Sequence, residues 1–287
     1  MIFRGRFYIL LLVLYLVLPN ANAYDIRNGA TLELREISKL FSENRSVSLW
    51  VYCLSGVPIN TPGECAAPTY PGPLLELGVG QTASVTLDLI TVPPPSEAGS
   101  IGSVGNFLGH TIHFANLDLP TIHDGVPEPL PSITNTLPTN TGGHTYNIDL
   151  GVANPNHIGS HAYYCHVHQT KHLEMGEFGA LIVRPVDLGG GFINTINQGG
   201  PRYDVEANFV LSTIDPAYHI AGVVGEDPVF ASYNPNIFLV NGNEGLASDT
   251  PAVVINVLTS QVVAIRLIGM QGVNATFQIV DGAQGGM

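Results

Sequence analysis

The chain has 287 residues, of which only 11% are charged, and 23 acids against 10 Lys and Arg give it a formal net charge of −13 at pH 7. That acidity argues against nucleic acid or an anionic membrane surface as a partner. With 32 Gly, 21 Pro and no sustained helical periodicity, the composition excludes a helical bundle and favours an all-β chain with many turns.

Residues 1–23 begin with Arg4 and Arg6, continue through an apolar run from Phe7 to Leu18, and end on Pro19 and Ala21-Asn22-Ala23. This is the layout of a secretory signal peptide, which predicts export to a periplasm or the extracellular space and a mature start near Tyr24. The run is shorter than the roughly 20 residues a spanning helix needs, so no permanent membrane anchor is expected. The mature chain is too long for one small sandwich and suits two domains of about 100–200 residues at most.

Short segments that alternate apolar and polar residues follow, bounded by Pro, Gly and Asn: Ser46–Tyr52, Thr82–Leu89, Thr111–Phe114, Thr145–Asp149, His161–Tyr164 and Gly179–Val183. They read as the strands of a β-sandwich over residues 24–185. Between them, VPPPSEAGSIGSVG (92–105) reads as a surface loop; its glycines open no helix, so they form no phosphate-binding pattern. Cys53 and Cys65 bracket a loop-like stretch, where export makes a disulfide plausible without requiring it. Residues 186–203, with the Gly189–Gly191 triplet and Gly199-Gly200-Pro201, read as a linker. Strand patterns resume in a shorter unit, 204–287, at Val205–Ser212, Ile237–Val240, Ala252–Leu258, Gln261–Ile268 and Ala275–Val280.

Nine of the ten histidines lie between positions 110 and 172, and Cys165 sits among them in HAYYCHVHQTKHLEM. A thiolate, imidazoles and a thioether on a β scaffold suit copper; calcium and magnesium want oxygen ligands. A blue-copper site takes two imidazoles and one thiolate with a weak axial Met. Cys165, His172 and Met175 would come from one loop and His110 from an earlier strand, with His168 the rival to His172. Zinc is the alternative metal, since Cys and His also bind it. His144, His157 and His219 read as solvated loop residues, and Glu174 as a group that orients a histidine.

Three stretches, PGPLLELGVGQTASVTLDL, GHTIHFANLDLPTIHDGVPE and GSHAYYCHVHQTKHLEMGEFGALIVRP, resemble the first cupredoxin domain of the multicopper oxidases. FVLSTIDPAYH, YNPNIFLVNG and DTPAVVINV resemble the start of the family's second such domain. The resemblance implies an all-β, cupredoxin-type Greek-key sandwich followed by a second, partial cupredoxin-like domain. It also implies copper as cofactor and a type 1 set of His110, Cys165, His172 and Met175. The family's H-x-x-H-x-H element falls on His110, His113 and Ala115, and its H-C-H element on Tyr164, Cys165 and His166. Two ligands of the family's oxygen-reducing trinuclear cluster are therefore replaced. In the later unit, Gln278 and Val280 stand where the family's F-H-I-H-x-G strand carries its histidines.

Three expectations follow from the resemblance. The preferred one is a copper-dependent oxidoreductase taking electrons from a small reductant or a redox protein, with dioxygen as the further acceptor. The second is a non-catalytic blue-copper electron carrier or copper-binding module. The third adds a second copper on His113, His123, His166 and His168, completed across a subunit boundary in a homotrimer as in the copper nitrite reductases.

Overall fold

A computed structural model describes residues 23–89, 110–126, 144–151, 154–167, 169–223, 232–244 and 255–270. Residues 1–22 of the expected signal peptide, the 92–105 loop, His168, the Ala275–Val280 strand with Gln278 and Val280, and part of Ala252–Leu258 lie outside them.

The order along the chain is β1 (Tyr24–Asp25), β2 (Ala30–Phe41), β3 (Arg45–Ser55), β4 (Leu74–Gly78), β5 (Thr82–Leu87), β6 (His113–Phe114), α1 (Thr121–Asp124), β7 (His144–Asp149), β8 (Gly159–Tyr164), α2 (Gln169–Met175) and β9 (Phe178–Arg184). Then come β10 (Val205–Ile214), α3 (Pro216–Val223), β11 (Ile237–Val240), β12 (Asn243–Glu244) and β13 (Val263–Met270). Two sheets, β1-β4-β9-β8-β6 and β3-β2-β5-β7, face each other, and a third, β12-β11-β10-β13, belongs to the later unit. Between the β2–β3 and β8–β9 hairpins, successive strands from β3 to β8 alternate between the first two sheets, so the chain builds a sandwich rather than a meander.

The first two sheets enclose a core that includes Leu32, Leu34, Tyr52, Leu75, Val85, Phe114, Tyr146, Ile148, Tyr163 and Leu181. A second core, with Leu49, Val51, Phe178, Ala180 and Ile182 from the sandwich and Val210, Ile214, Ile237, Leu239 and Ile268 from the later unit, joins the third sheet to it. Strands β3 and β9 supply both cores from their opposite faces. This explains why LWVYCL and FGALIV are unbroken apolar runs where a half-exposed strand would alternate. All seven residues of β9 are buried.

The expected strands over 46–52, 82–89, 145–149, 161–164, 179–183, 205–212, 237–240 and 261–268 all have counterparts within a few residues. The element expected over Thr111–Phe114 pairs only at His113–Phe114. The reason is local: the Thr111 N–H is directed at the Cys165 Sγ (3.4 Å) and the Ile112 N–H donates to the Tyr146 hydroxyl (3.1 Å), so neither is free for a ladder. Cys53 and Cys65 form a disulfide. Residues 186–203 are folded back on themselves: Gly189 and Gly191 N–H both donate to Asp187 Oδ1, and isolated bridges join Val186 to Phe192 and Thr195 to Arg202. Among the described residues no helix is long and apolar enough to cross a membrane.

Candidate metal centre

The β8–β9 hairpin sets the site. Its antiparallel register pairs Tyr164 with Phe178, and one step further the Cys165 N–H donates to the Glu177 carbonyl (3.1 Å). Residues opposed in this way place their side chains on the same face, so Cys165 and Glu177 are neighbours by construction. The hairpin loop carries α2, and the Glu177 N–H closes it by donating to the His172 carbonyl (2.9 Å). His110 arrives from the other side, just before β6.

Four donor atoms from His110, Cys165, His172 and Glu177 all lie within 4.8 Å of one another. Cys165 Sγ is 3.0 Å from His172 Nδ1, and Glu177 Oε2 is 2.9 Å from His110 Nδ1 and 3.5 Å from His172 Nδ1. The two imidazoles stack with centroids 4.8 Å apart and planes 20° apart, and Trp50 presents its ring edge-on to both. None of the four residues exceeds 1% exposure. The arrangement is a fully buried cluster in which two Nδ1 atoms, a sulfur and a carboxylate converge.

Burial pushes the Cys165 thiol well above its ordinary value of 9.0, and the charge of Glu177 pushes it further. The thiol is therefore favoured over the thiolate, and a cation bound here must displace that proton, so binding and proton release are coupled. The Thr111 N–H aimed at Sγ is a ready partner for the thiolate that results.

Of the expected type 1 set, the structure brings together His110, Cys165 and His172. Met175 is fully buried at the end of α2, three residues beyond His172. Glu177 was missed. The signal for it was present: chargeable residues are scarce, and this one stands between Gly176 and a wholly apolar strand, where burial is expected to require a partner.

The histidines assigned to a second metal divide. His113 and His166 meet edge to face with centroids 5.2 Å apart, both part-buried, and His113 Nδ1 is held by the Asp124 carbonyl at 2.8 Å and its Oδ1 at 3.1 Å. Burial, then the neighbouring His113, lowers the His166 pKa. His123 instead accepts the Asn147 N–H on its Nδ1 (3.2 Å) and lies beside His144. Ala115 and Tyr164 stand at the positions without imidazoles; the Ala115 N–H continues the backbone pairing to Ala162, and its carbonyl meets His161 Nδ1 (3.1 Å). The second group of three candidate ligands among the described residues, Glu33, Cys53 and Cys65, contains the disulfide and has no free thiolate.

The readings of four single residues need correction. His219 is 2% exposed, because α3 packs on β3 and directs its Nδ1 at the Ser48 carbonyl (2.7 Å). Glu174 lies 3.5 Å from that same His219 and binds the Asp215 N–H and the Tyr233 hydroxyl, so it fixes α2 to the later unit rather than orienting a histidine of the cluster. His144 and His157 are part-buried rather than solvated.

Gly125 closes α1 beside His113 at φ +72°, where a Cβ would sit 2.1 Å from the Ile112 carbonyl oxygen. Gly125→Ala should therefore cost about 1–3 kcal/mol of stability in thermal or denaturant unfolding and loosen the Asp124 hold on His113.

No protein-family model matches the chain, and no curated protein matches it significantly. Solved structures do. A multicopper oxidase termed mgLAC aligns with a TM-score of 0.57 at 20% identity, over 84% of this chain and 61% of its own. A blue copper oxidase from Nitrosomonas europaea aligns with a TM-score of 0.55 at 19% identity, over 84% of this chain and 60% of its own. A multi-copper oxidase from Pseudomonas thermotolerans gives 0.53 at 17%, over 88% and 47%. The chain thus spans about three-fifths or less of the length of these structures.

Proposed function

We propose, for a chain with the cupredoxin-like β-sandwich fold of the multicopper oxidases, that it is a copper-dependent redox protein whose metal is held by His110, Cys165 and His172. The observation that carries this reading is the convergence of two imidazole Nδ1 atoms and one thiol sulfur in a pocket closed to solvent. Soft sulfur with imidazole is the donor set that suits copper. When bound there, copper would supply a one-electron couple, taking an electron from a small reductant or redox protein.

The residues around the pocket do the rest. Fully buried Trp50 meets both imidazoles, and Tyr52 fixes the His110–Thr111 segment by donating its hydroxyl to the Thr111 carbonyl (2.5 Å). A donor set held in advance resists rearrangement when the metal's charge changes, which favours electron transfer over substrate binding at this metal. Export is part of the proposal: the N-terminal layout and the Cys53–Cys65 disulfide both fit an oxidising compartment.

The direct test is redox cycling of copper-loaded protein. Reduction by ascorbate should bleach the thiolate-to-copper absorption with one electron per centre, and air or an added oxidant should restore it. A copper form that does not cycle would defeat the proposal. Oxygen uptake with a phenolic or metal-ion reductant would assign oxidase activity; cycling without uptake would assign an electron carrier.

A second reading, zinc, is favoured by one observation: Glu177 completes a His, His, Cys, Glu set of the kind four-coordinate zinc accepts in closed structural sites. Protein purified with zinc that copper cannot displace would establish it. The His113–His166 pair supports a further copper shared between subunits, with Asp124 orienting His113 as outer partners of metal-bound histidines do. Copper in excess of one per chain, in a trimer, is the result that reading requires.

A further inference from the structure

We infer that Glu177, rather than the thioether of Met175, is the fourth ligand of the centre, and that it makes the site a carboxylate-bound, low-potential copper instead of a blue one. This rests on the copper reading given above.

The first argument is position. Glu177 Oε2 lies 2.9 Å from His110 Nδ1 and 3.5 Å from His172 Nδ1, inside the same 4.8 Å cluster as Cys165 Sγ. Its backbone is tied to both ligand-bearing segments, accepting from the Cys165 N–H and donating to the His172 carbonyl. A metal held by His110, Cys165 and His172 cannot avoid this carboxylate.

The second argument is cost. Glu177 is 0% exposed, and its Oε1 is buried without a hydrogen-bond partner. An ionised carboxylate taken out of water loses several kcal/mol unless a charge or a metal compensates. The two imidazoles satisfy Oε2 and leave Oε1 orphaned. A divalent cation at the cluster would compensate both oxygens.

The third argument is charge balance. One thiolate and one carboxylate neutralise a divalent copper, whereas reduction by one electron leaves a net negative charge in a pocket of low dielectric. The oxidised form is thereby favoured, and the potential falls below that of a site closed by a neutral thioether. A hard anionic oxygen also competes with the thiolate for the metal. It shifts the geometry from trigonal with a weak axial contact toward tetragonal, and moves the sulfur-to-copper absorption from the red toward the violet.

The test compares copper-loaded wild type, Glu177→Met, Glu177→Gln and Met175→Leu by visible absorption, electron paramagnetic resonance and redox titration. Wild type should show the violet band stronger than the red one and a wide copper hyperfine splitting. Glu177→Met should invert the band ratio, narrow the splitting and raise the midpoint potential, while Met175→Leu leaves all three unchanged. An intensely blue wild type whose spectrum responds to Met175→Leu and ignores Glu177→Gln would overturn the inference while leaving the copper centre intact. Absence of any thiolate-to-copper band in every form would instead overturn the copper reading on which it rests. Should the Glu177 variants fail to fold, X-ray absorption of the wild-type copper form decides alone. A single sulfur with three light-atom ligands supports the inference, and a second, distant sulfur contradicts it.

Discussion

Cys165→Ser should abolish the thiolate-to-copper absorption completely and weaken copper binding by more than about 100-fold. Loss of an outer-sphere partner alone commonly costs 10–100-fold, and here the directly bonded sulfur is removed. Cys165 sits at the one point where the sheet register, the Thr111 N–H and the two Nδ1 atoms converge, so no neighbouring group can replace it. The serine variant should still fold, because hydroxyl for thiol is a small change in a pocket that already offers hydrogen-bond partners. Copper at 100 times its dissociation constant would stabilise wild type by about 2.7 kcal/mol, and that gain should vanish in the variant. Equal copper affinity and an unchanged spectrum in Cys165→Ser would remove the sulfur from the centre.

Glu206→Gln should cost about 3 kcal/mol at neutral pH, through a different part of the molecule. Arg184 on β9 reaches Glu76 on β4 through its Nε (2.5 Å) and Glu206 on β10 through both terminal nitrogens (2.6 and 3.1 Å). Arg266 on β13 reaches Glu206 at 2.7 Å, and the Tyr203 hydroxyl donates to it at 2.9 Å. Two guanidinia and two carboxylates thus lock the third sheet to the sandwich. Replacing Glu206 leaves Arg184 with Glu76 alone and takes from Arg266 the carboxylate it holds, and breaking a buried pair from one side typically costs 3–5 kcal/mol.

The same network sets an acid dependence. Burial raises the Glu206 carboxyl, but the hydrogen bonds and charges of Arg184 and Arg266 outweigh it and hold its pKa at about 2, against an ordinary 4.5. A depressed carboxyl contributes stability above its unfolded pKa and loses it as pH falls through the folded one. Wild type should therefore lose about 2 kcal/mol between pH 4.5 and 2, allowing for screening at a partly wetted network. Glu76, whose carboxyl is raised first by burial, gains on protonation and offsets part of this. Denaturant unfolding at neutral and acid pH checks both statements. A Glu206→Gln variant within 1 kcal/mol of wild type and with an unchanged acid slope would show that the network contributes nothing.

How much was legible in the sequence depended on whether the information was local. His110, Cys165 and His172 could be read because soft donors are rare and their clustering survives without knowledge of the fold. Glu177 stood out only as a lone acid at the head of an apolar strand; its place beside the metal ligands lies in the β8–β9 register that opposes it to Cys165, and Met175 offered a thioether at a familiar distance from His172. Strands β3 and β9 were legible as strands but were expected to alternate; their apolar runs make sense only once the third sheet covers their second face. Strand β2 was overlooked because Glu33, Arg35, Glu36 and Lys39 interrupt it. Its inward residues Leu32 and Leu34 are buried, while Arg35 pairs with Glu33 along the strand. His219 looked like a lone loop histidine because the Ser48 carbonyl that holds it is 171 residues away.

The measurement that bears most directly on the central claim is anomalous X-ray scattering at the copper absorption edge from crystals of the copper-loaded chain. The account predicts a strong peak at bonding distance from His110 Nδ1, His172 Nδ1 and Cys165 Sγ. A peak only beside His113 and His166, or none at the four-residue cluster, would contradict it.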